Sequence, residues 1–147
     1  MEDKEEKADF IKVSNHLIID ATNATLGRLA SYAAKQALQG KTVDIVNCNQ
    51  AIILGNPEYT LKRYQKLVRR GSSSLLGPFF PKTPEKLLKR AVRGMLPDHR
   101  VGRGKAALGM VKCHNLVPAE FKESHKILAG KVKTARKMTL KELYQKL

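Results

Sequence analysis

Apolar positions along this chain fall into short runs separated by stripes of helical period, and that alternation sets out a fold. His16 to Asp20 (HLIID) is an apolar run with polar flanks and predicts a buried strand. From Leu26 to Gln39 the residues Leu26, Leu29, Ala30, Ala33, Ala34, Ala37 and Leu38 recur every three or four positions, which draws one apolar stripe along a helix. Thr25 stands where that helix needs a cap, and Gly40 where it needs a left-handed terminator. Thr42 to Cys48 (TVDIVNC) then reads as a second strand rich in β-branched residues. Strand, helix and strand in this order make a βαβ unit with parallel strands and a right-handed crossover.

Ala51 to Gly55 is a third apolar run, and Asn56-Pro57-Glu58 behind it is a helix start with a cap, a first-turn proline and an acid. The helix it opens runs from Pro57 to about Arg69, with Leu61, Tyr64, Leu67 and Val68 on its apolar side. Gly71 to Pro81 reads as a loop. Thr83-Pro84-Glu85 repeats the start signal before a helix with Leu87, Leu88, Ala91, Val92 and Met95 on one face, closed by Gly94 and Pro97. Asp98 to Lys105 (DHRVGRGK) reads as a glycine-punctuated basic loop, Ala106 to Leu108 as a helical turn, and Met110 to His114 as the last strand. From Asn115 the chain is expected to leave the core. Thr139 to Leu147 forms a short amphipathic helix with Thr139 and Glu142 spaced as a capping box. The expectation is a single α/β domain of three layers, with a small, mainly parallel central sheet of about four strands flanked by helices. It spans 15–121, between an acidic tail at 1–14 and a lysine-rich tail at 122–147.

Charge changes this picture from a fold into a surface. Of the net +15 carried by 147 residues, +11 lies between Lys62 and Lys105, where thirteen basic residues face only Glu85 and Asp98. His16 to Leu61 and Ala106 to Phe121 each sum to zero, and Lys122 to Leu147 adds +6. Like charges held this close repel and raise the free energy of the compact state, so an anionic partner is expected to relieve them. Lys62, Arg63, Lys66, Arg69 and Arg70 fall on the outer side of the first basic helix, and Lys86, Lys89, Arg90 and Arg93 on that of the second. In the following loop Arg100, Arg103 and Lys105 supply charge, Gly102 and Gly104 let a backbone come close to a phosphate, and His99 joins them. A multi-sided basic surface suits a folded RNA better than a lipid surface, since there is no tryptophan anchor and no long basic helix with a bulky apolar face. No known base-reading module is visible, so phosphate and shape recognition should dominate. Phe79 and Phe80 either stack on bases or anchor the loop onto protein.

Other chemistry is thin. Gly102-x-Gly104-x-x-Ala107 matches a dinucleotide fingerprint in letters, yet it follows a helix where the fingerprint follows a first strand. None of the four histidines is spaced as a metal pair, and Cys113 and His114, adjacent on a strand, face opposite sides. Cys48 and Cys113 read as buried small apolar side chains rather than a disulfide or zinc site. No catalytic residue, metal, cofactor, small-molecule substrate or membrane contact is expected. The acidic start lacks the apolar core of a signal peptide, and the expected location is cytoplasmic.

DATNATLGRLASYAAKQALQGKTVDIVNCNQAIILGN (Asp20 to Asn56) and RAVRGMLPDHRVGRGKAALG (Arg90 to Gly109) together resemble the large-subunit ribosomal protein thirteen family, in its archaeal and eukaryotic cytosolic form. The resemblance covers about Leu17 to Val117 and rests on LGRLA, the GN closing the third strand, and VRGMLP before a GRG-type basic segment. It implies an α/β domain bound to large-subunit ribosomal RNA, beside neighbouring ribosomal proteins, that supports subunit assembly. By position the implied RNA contacts include Arg90, Arg93, Arg100, Arg103 and Lys105. RRGSSSLLGPFFPKTP replaces the glycine-rich, histidine-containing segment of bacterial members, and the long helical extension of eukaryotic members is mostly absent, which favours the archaeal branch. The alternative reading is an RNA-binding regulator acting outside the ribosome.

Overall fold

The computed structural model describes residues 15–71, 77–131 and 134–147. The acidic start and part of the Gly71 to Pro81 loop lie outside them. The expected βαβ unit is present: strand β1 (His16–Asp20), helix α1 (Leu26–Leu38) and strand β2 (Thr42–Val46). β1 and β2 pair in parallel, from His16 opposite Thr42 to Asp20 opposite Val46. Gly40 takes the left-handed conformation, with φ +86°, that ends α1. Thr25 occupies the cap position, but its hydroxyl makes no capping bond and is buried without a partner.

Two further parallel strands complete a sheet of order β4-β2-β1-β5, where β4 is Val111–Cys113 and β5 is Ile127–Leu128. Helices flank it in a three-layer α/β arrangement. The third apolar run does not join this sheet. Strand β3 (Ile52–Leu54) pairs antiparallel with β6 (Lys137–Thr139), a segment whose polar letters hide it. The expectation that the chain leaves the core after Asn115 is likewise corrected. β5 lies beside β1, and helix α5 (Leu140–Lys146) returns with Met138, Leu140 and Leu143 buried in the main core. The α5 start carries the expected capping box, with Glu142 N–H donating to Thr139 Oγ1 at 3.2 Å and Thr139 N–H to Glu142 Oε2 at 3.3 Å.

The core joins Ile19, Val43, Ile45 and Val111 of the sheet to the alanine stripe of α1 and to Leu87, Leu88 and Val92 of helix α3 (Pro84–Met95). Small residues on α1 let α3 approach closely, and each buried Leu, Ile or Val contributes about 1.5–3 kcal/mol. On the other sheet face Asp44, only 3% exposed, lies 2.6 Å from His16 Nε2 and 2.8 Å from His114 Nε2, with Phe121 packed on both imidazoles. The sequence shows no metal-pair spacing for these two histidines, and it does not display the aspartate that unites them.

Candidate nucleic-acid interface

Helix α2 (Pro57–Val68) begins as its letters foretell, with Asn56 Oδ1 accepting from Glu58 N–H at 3.0 Å, Pro57 in the first turn and Glu58 near the positive end of the dipole. Thr60 is the one buried residue of this helix, while Leu61 and Tyr64 rest partly buried on the core. The opposite side leaves Lys62, Arg63, Lys66, Arg69 and Arg70 exposed. Lys62, Gln65, Lys66, Arg69 and Arg70 wall a shallow groove of about 420 Å³. Gln65 also ties the helix to α5 by donating from Nε2 to the Lys146 carbonyl at 3.4 Å.

Helix α3 presents Lys86 and Arg90 to solvent and holds Lys89 and Arg93 half-buried. Its expected cap, Thr83, makes no side-chain capping bond and its hydroxyl is buried without a partner. Asn115, from the segment after β4, takes that part instead, its Oδ1 accepting from Glu85 N–H at 3.2 Å. Between α2 and α3 lies a second groove, of about 380 Å³, with Tyr64 and Phe80 in its wall and Arg63 and Arg90 beside them. The Phe80 ring meets Tyr64 edge-on at 5.7 Å and carries the Arg90 guanidinium 4.7 Å above it. Burial pushes the Tyr64 hydroxyl above its ordinary pKa, against a smaller opposing pull from Arg63.

The basic loop is shorter than its glycines suggest. Asp98 Oδ1 accepts from Arg100 N–H at 3.0 Å in a tight turn, and Gly102, at φ +57°, opens helix α4 (Gly102–Met110). Arg103 and Lys105 therefore stand exposed on a first helical turn, beside exposed Arg100 and half-buried His99. Gly104 is buried, and a Cβ there would meet the carbonyl oxygens of Pro97 and Asp98. Its bareness serves packing of the chain on itself. The dinucleotide-like pattern thus lies at a helix start that no strand leads into.

None of Lys62, Arg63, Lys66, Arg69, Arg70, Lys86, Lys89, Arg90, Arg93, Arg100, Arg103 and Lys105 has a carboxylate of the described residues within pairing distance. Two more cations, from separate stretches of the chain, meet in space. Arg28 on α1 and Lys131 after β5 line one small cavity with Asn23, Thr25 and Gly130. The two thiols are also neighbours in space, both free, and hydrogen bonding with Cys113, then burial, pushes Cys48 up so that it stays protonated.

The family model for ribosomal protein L13 matches residues 14–118. The chain belongs to the ribosomal protein L13 family. The match takes in β1 through β4, and so every cation of α2, α3 and the α4 start. A "Large ribosomal subunit protein uL13" from Methanosarcina barkeri is 46% identical over 111 residues, covering 75% of this chain and 78% of that protein. The protein of the same name from Haloarcula marismortui is 40% identical over 114 residues, covering 78% and 75%. That from Archaeoglobus fulgidus is 39% identical over 132 residues, covering 86% and 83%. L13 proteins are structural proteins of the ribosome rather than enzymes, and the archaeal resemblance read from the sequence is upheld by these relatives. No helix among the described residues is long and apolar enough to cross a membrane.

Proposed function

We propose that this protein is a structural constituent of the large ribosomal subunit in the cytoplasm, where it binds large-subunit ribosomal RNA and supports subunit assembly. The observation that carries the reading is the run of cations on α2, α3 and the α4 start that no carboxylate among the described residues pairs, with the relatives' names supplying the particle. An RNA backbone would neutralise those charges and release its condensed counterions, a gain that falls steeply with added salt. The packed sheet and α1 hold the cationic helices in fixed relative positions, so phosphates on different faces of a folded RNA can be met together without ordering a mobile chain at that moment. Recognition then works through phosphate spacing and shape.

Sedimentation tests this. Large subunits pelleted through a high-salt wash should retain the chain, and crosslinking on those particles should join α2, α3 and the α4 start to ribosomal RNA. Release of the chain into the wash with no crosslink to large-subunit RNA would overturn the reading.

A further inference from the structure

We propose that Phe79 is a stacking platform for an unpaired nucleobase of the bound RNA, an inference that rests on the RNA-binding reading above. Phe79 is 85% exposed, the highest value among the large apolar side chains described. Exposed single apolar residues are ordinary, so the surroundings must decide. Its neighbour Phe80 is fixed between Tyr64 and the Arg90 guanidinium, and Pro78 and Pro81 restrict the backbone on both sides. The strap therefore turns one ring inward as an anchor and holds the other outward, with little freedom left for the backbone that carries it. Among the described residues no ring partner or cation lies on Phe79, so both its faces are open.

The charge around it selects the occupant. Arg63 and Arg90 line the groove beside Phe80, and Lys82 stands exposed just beyond Pro81. A flat apolar ring set among cations fits a partner that offers a flat ring and a negative charge a few bonds apart, which describes a nucleotide. Tyr59, 68% exposed, makes the contrast: it follows Glu58 in the acidic first turn of α2.

The chain has no tryptophan, so Phe79→Trp places a single reporter at this position. Its emission should be quenched when purified large-subunit ribosomal RNA binds, and should stay unquenched with inorganic polyphosphate, which has the charge without the bases. Phe79→Ala should weaken RNA binding about 5- to 150-fold, the range set by one stacked base, leave the salt dependence unchanged, and be rescued by Phe79→Tyr. Because the ring is exposed, the thermal midpoint of Phe79→Ala should match wild type. RNA binding with no quenching would overturn the stacking role and leave the phosphate reading standing. Quenching by proteins washed from large subunits, but not by RNA, would overturn it in favour of a protein contact. Failure of the wild-type chain to bind RNA would overturn both.

Discussion

Helices α1 and α2 follow one another on the same scaffold and are built on opposite terms. α1 buries Leu29, Ala30, Ala33, Ala34 and Ala37 and lies in a stretch whose charges cancel. α2 buries Thr60 alone and carries Lys62, Arg63 and Lys66, with Arg69 and Arg70 at its end. Lys62 and Lys66 stand four residues apart on one side, where the like-charged pair costs a few tenths of a kcal/mol, and Arg70 lines the same groove just past the helix end. A helix under selection for stability alone would not place them there. The contrast teaches that the two halves divide the work: the neutral half supplies the free energy of folding, and the cationic half uses some of it to keep charges together for a partner.

That division breaks most visibly in the core, to which the cationic α3 also lends its apolar face. Leu88 of α3 is fully buried against the α1 stripe, so Leu88→Ala should cost about 2–5 kcal/mol of stability, read as a lowered midpoint in denaturant with an unchanged slope. A loss below about 1 kcal/mol would mean the core is not where the folding energy lies. Gly104→Ala comes next. The added methyl would press on the carbonyls of Pro97 and Asp98, at an expected cost of about 1–3 kcal/mol, while Gly109→Ala at an open position on the same helix should be tolerated. Equal effects at the two glycines would remove the packing role given to Gly104.

What could be read from the letters alone follows the same line. The βαβ unit, the alanine stripe and both proline-started helices were legible because their apolar spacing and start signals agree with the tertiary structure. So was the exposure of the cations on α2. Gly102 to Lys105 read as a loop and only Ala106 to Leu108 as a helical turn because two glycines in the first turn of α4 lower helix propensity and because that helix buries only Gly104 and Ala107, too little for a stripe to show. β6 and β5 were missed because Lys137–Thr139 is mostly polar and Ile127–Leu128 is two residues long, and their places are set by pairing with β3 and β1, which sequence does not display. The Asn115 cap on α3 and the meeting of Arg28 and Lys131 at one cavity escaped for the same reason. Each joins residues far apart in the chain.

A substitution in the cationic half should move binding and barely touch folding. Lys66→Ala combined with Arg70→Ala should make log K against log salt shallower by about one unit for each phosphate that is no longer neutralised, in a titration against large-subunit ribosomal RNA over a salt series. The stability of the free protein should stay the same or rise by about 0.2–0.5 kcal/mol, because a like-charged pair has gone. A destabilised variant with an unaltered salt slope would assign these side chains to the scaffold and erase the contrast between α1 and α2.

The smallest expected effect places acid sensitivity in the neutral half. Asp20 closes β1, and its Oδ1 accepts from Thr22 Oγ1 at 2.6 Å, Thr22 N–H at 3.0 Å and Asn47 Nδ2 at 3.1 Å. Partial burial is the largest single influence and raises its pKa, but these bonds together with Lys126 outweigh it and hold the carboxyl below the ordinary aspartate value of 3.8. The unfolded chain therefore takes up the proton first as pH falls, so the Asp20 contribution is complete above that value and is lost as pH drops through the lower, folded one. Asp20→Asn should be less stable than wild type at about pH 6, and the gap between the two should narrow toward about pH 3, measured by denaturant unfolding. A gap that holds constant across that range would separate Asp20 from the acid response and leave the β1–α1 turn held by its backbone alone.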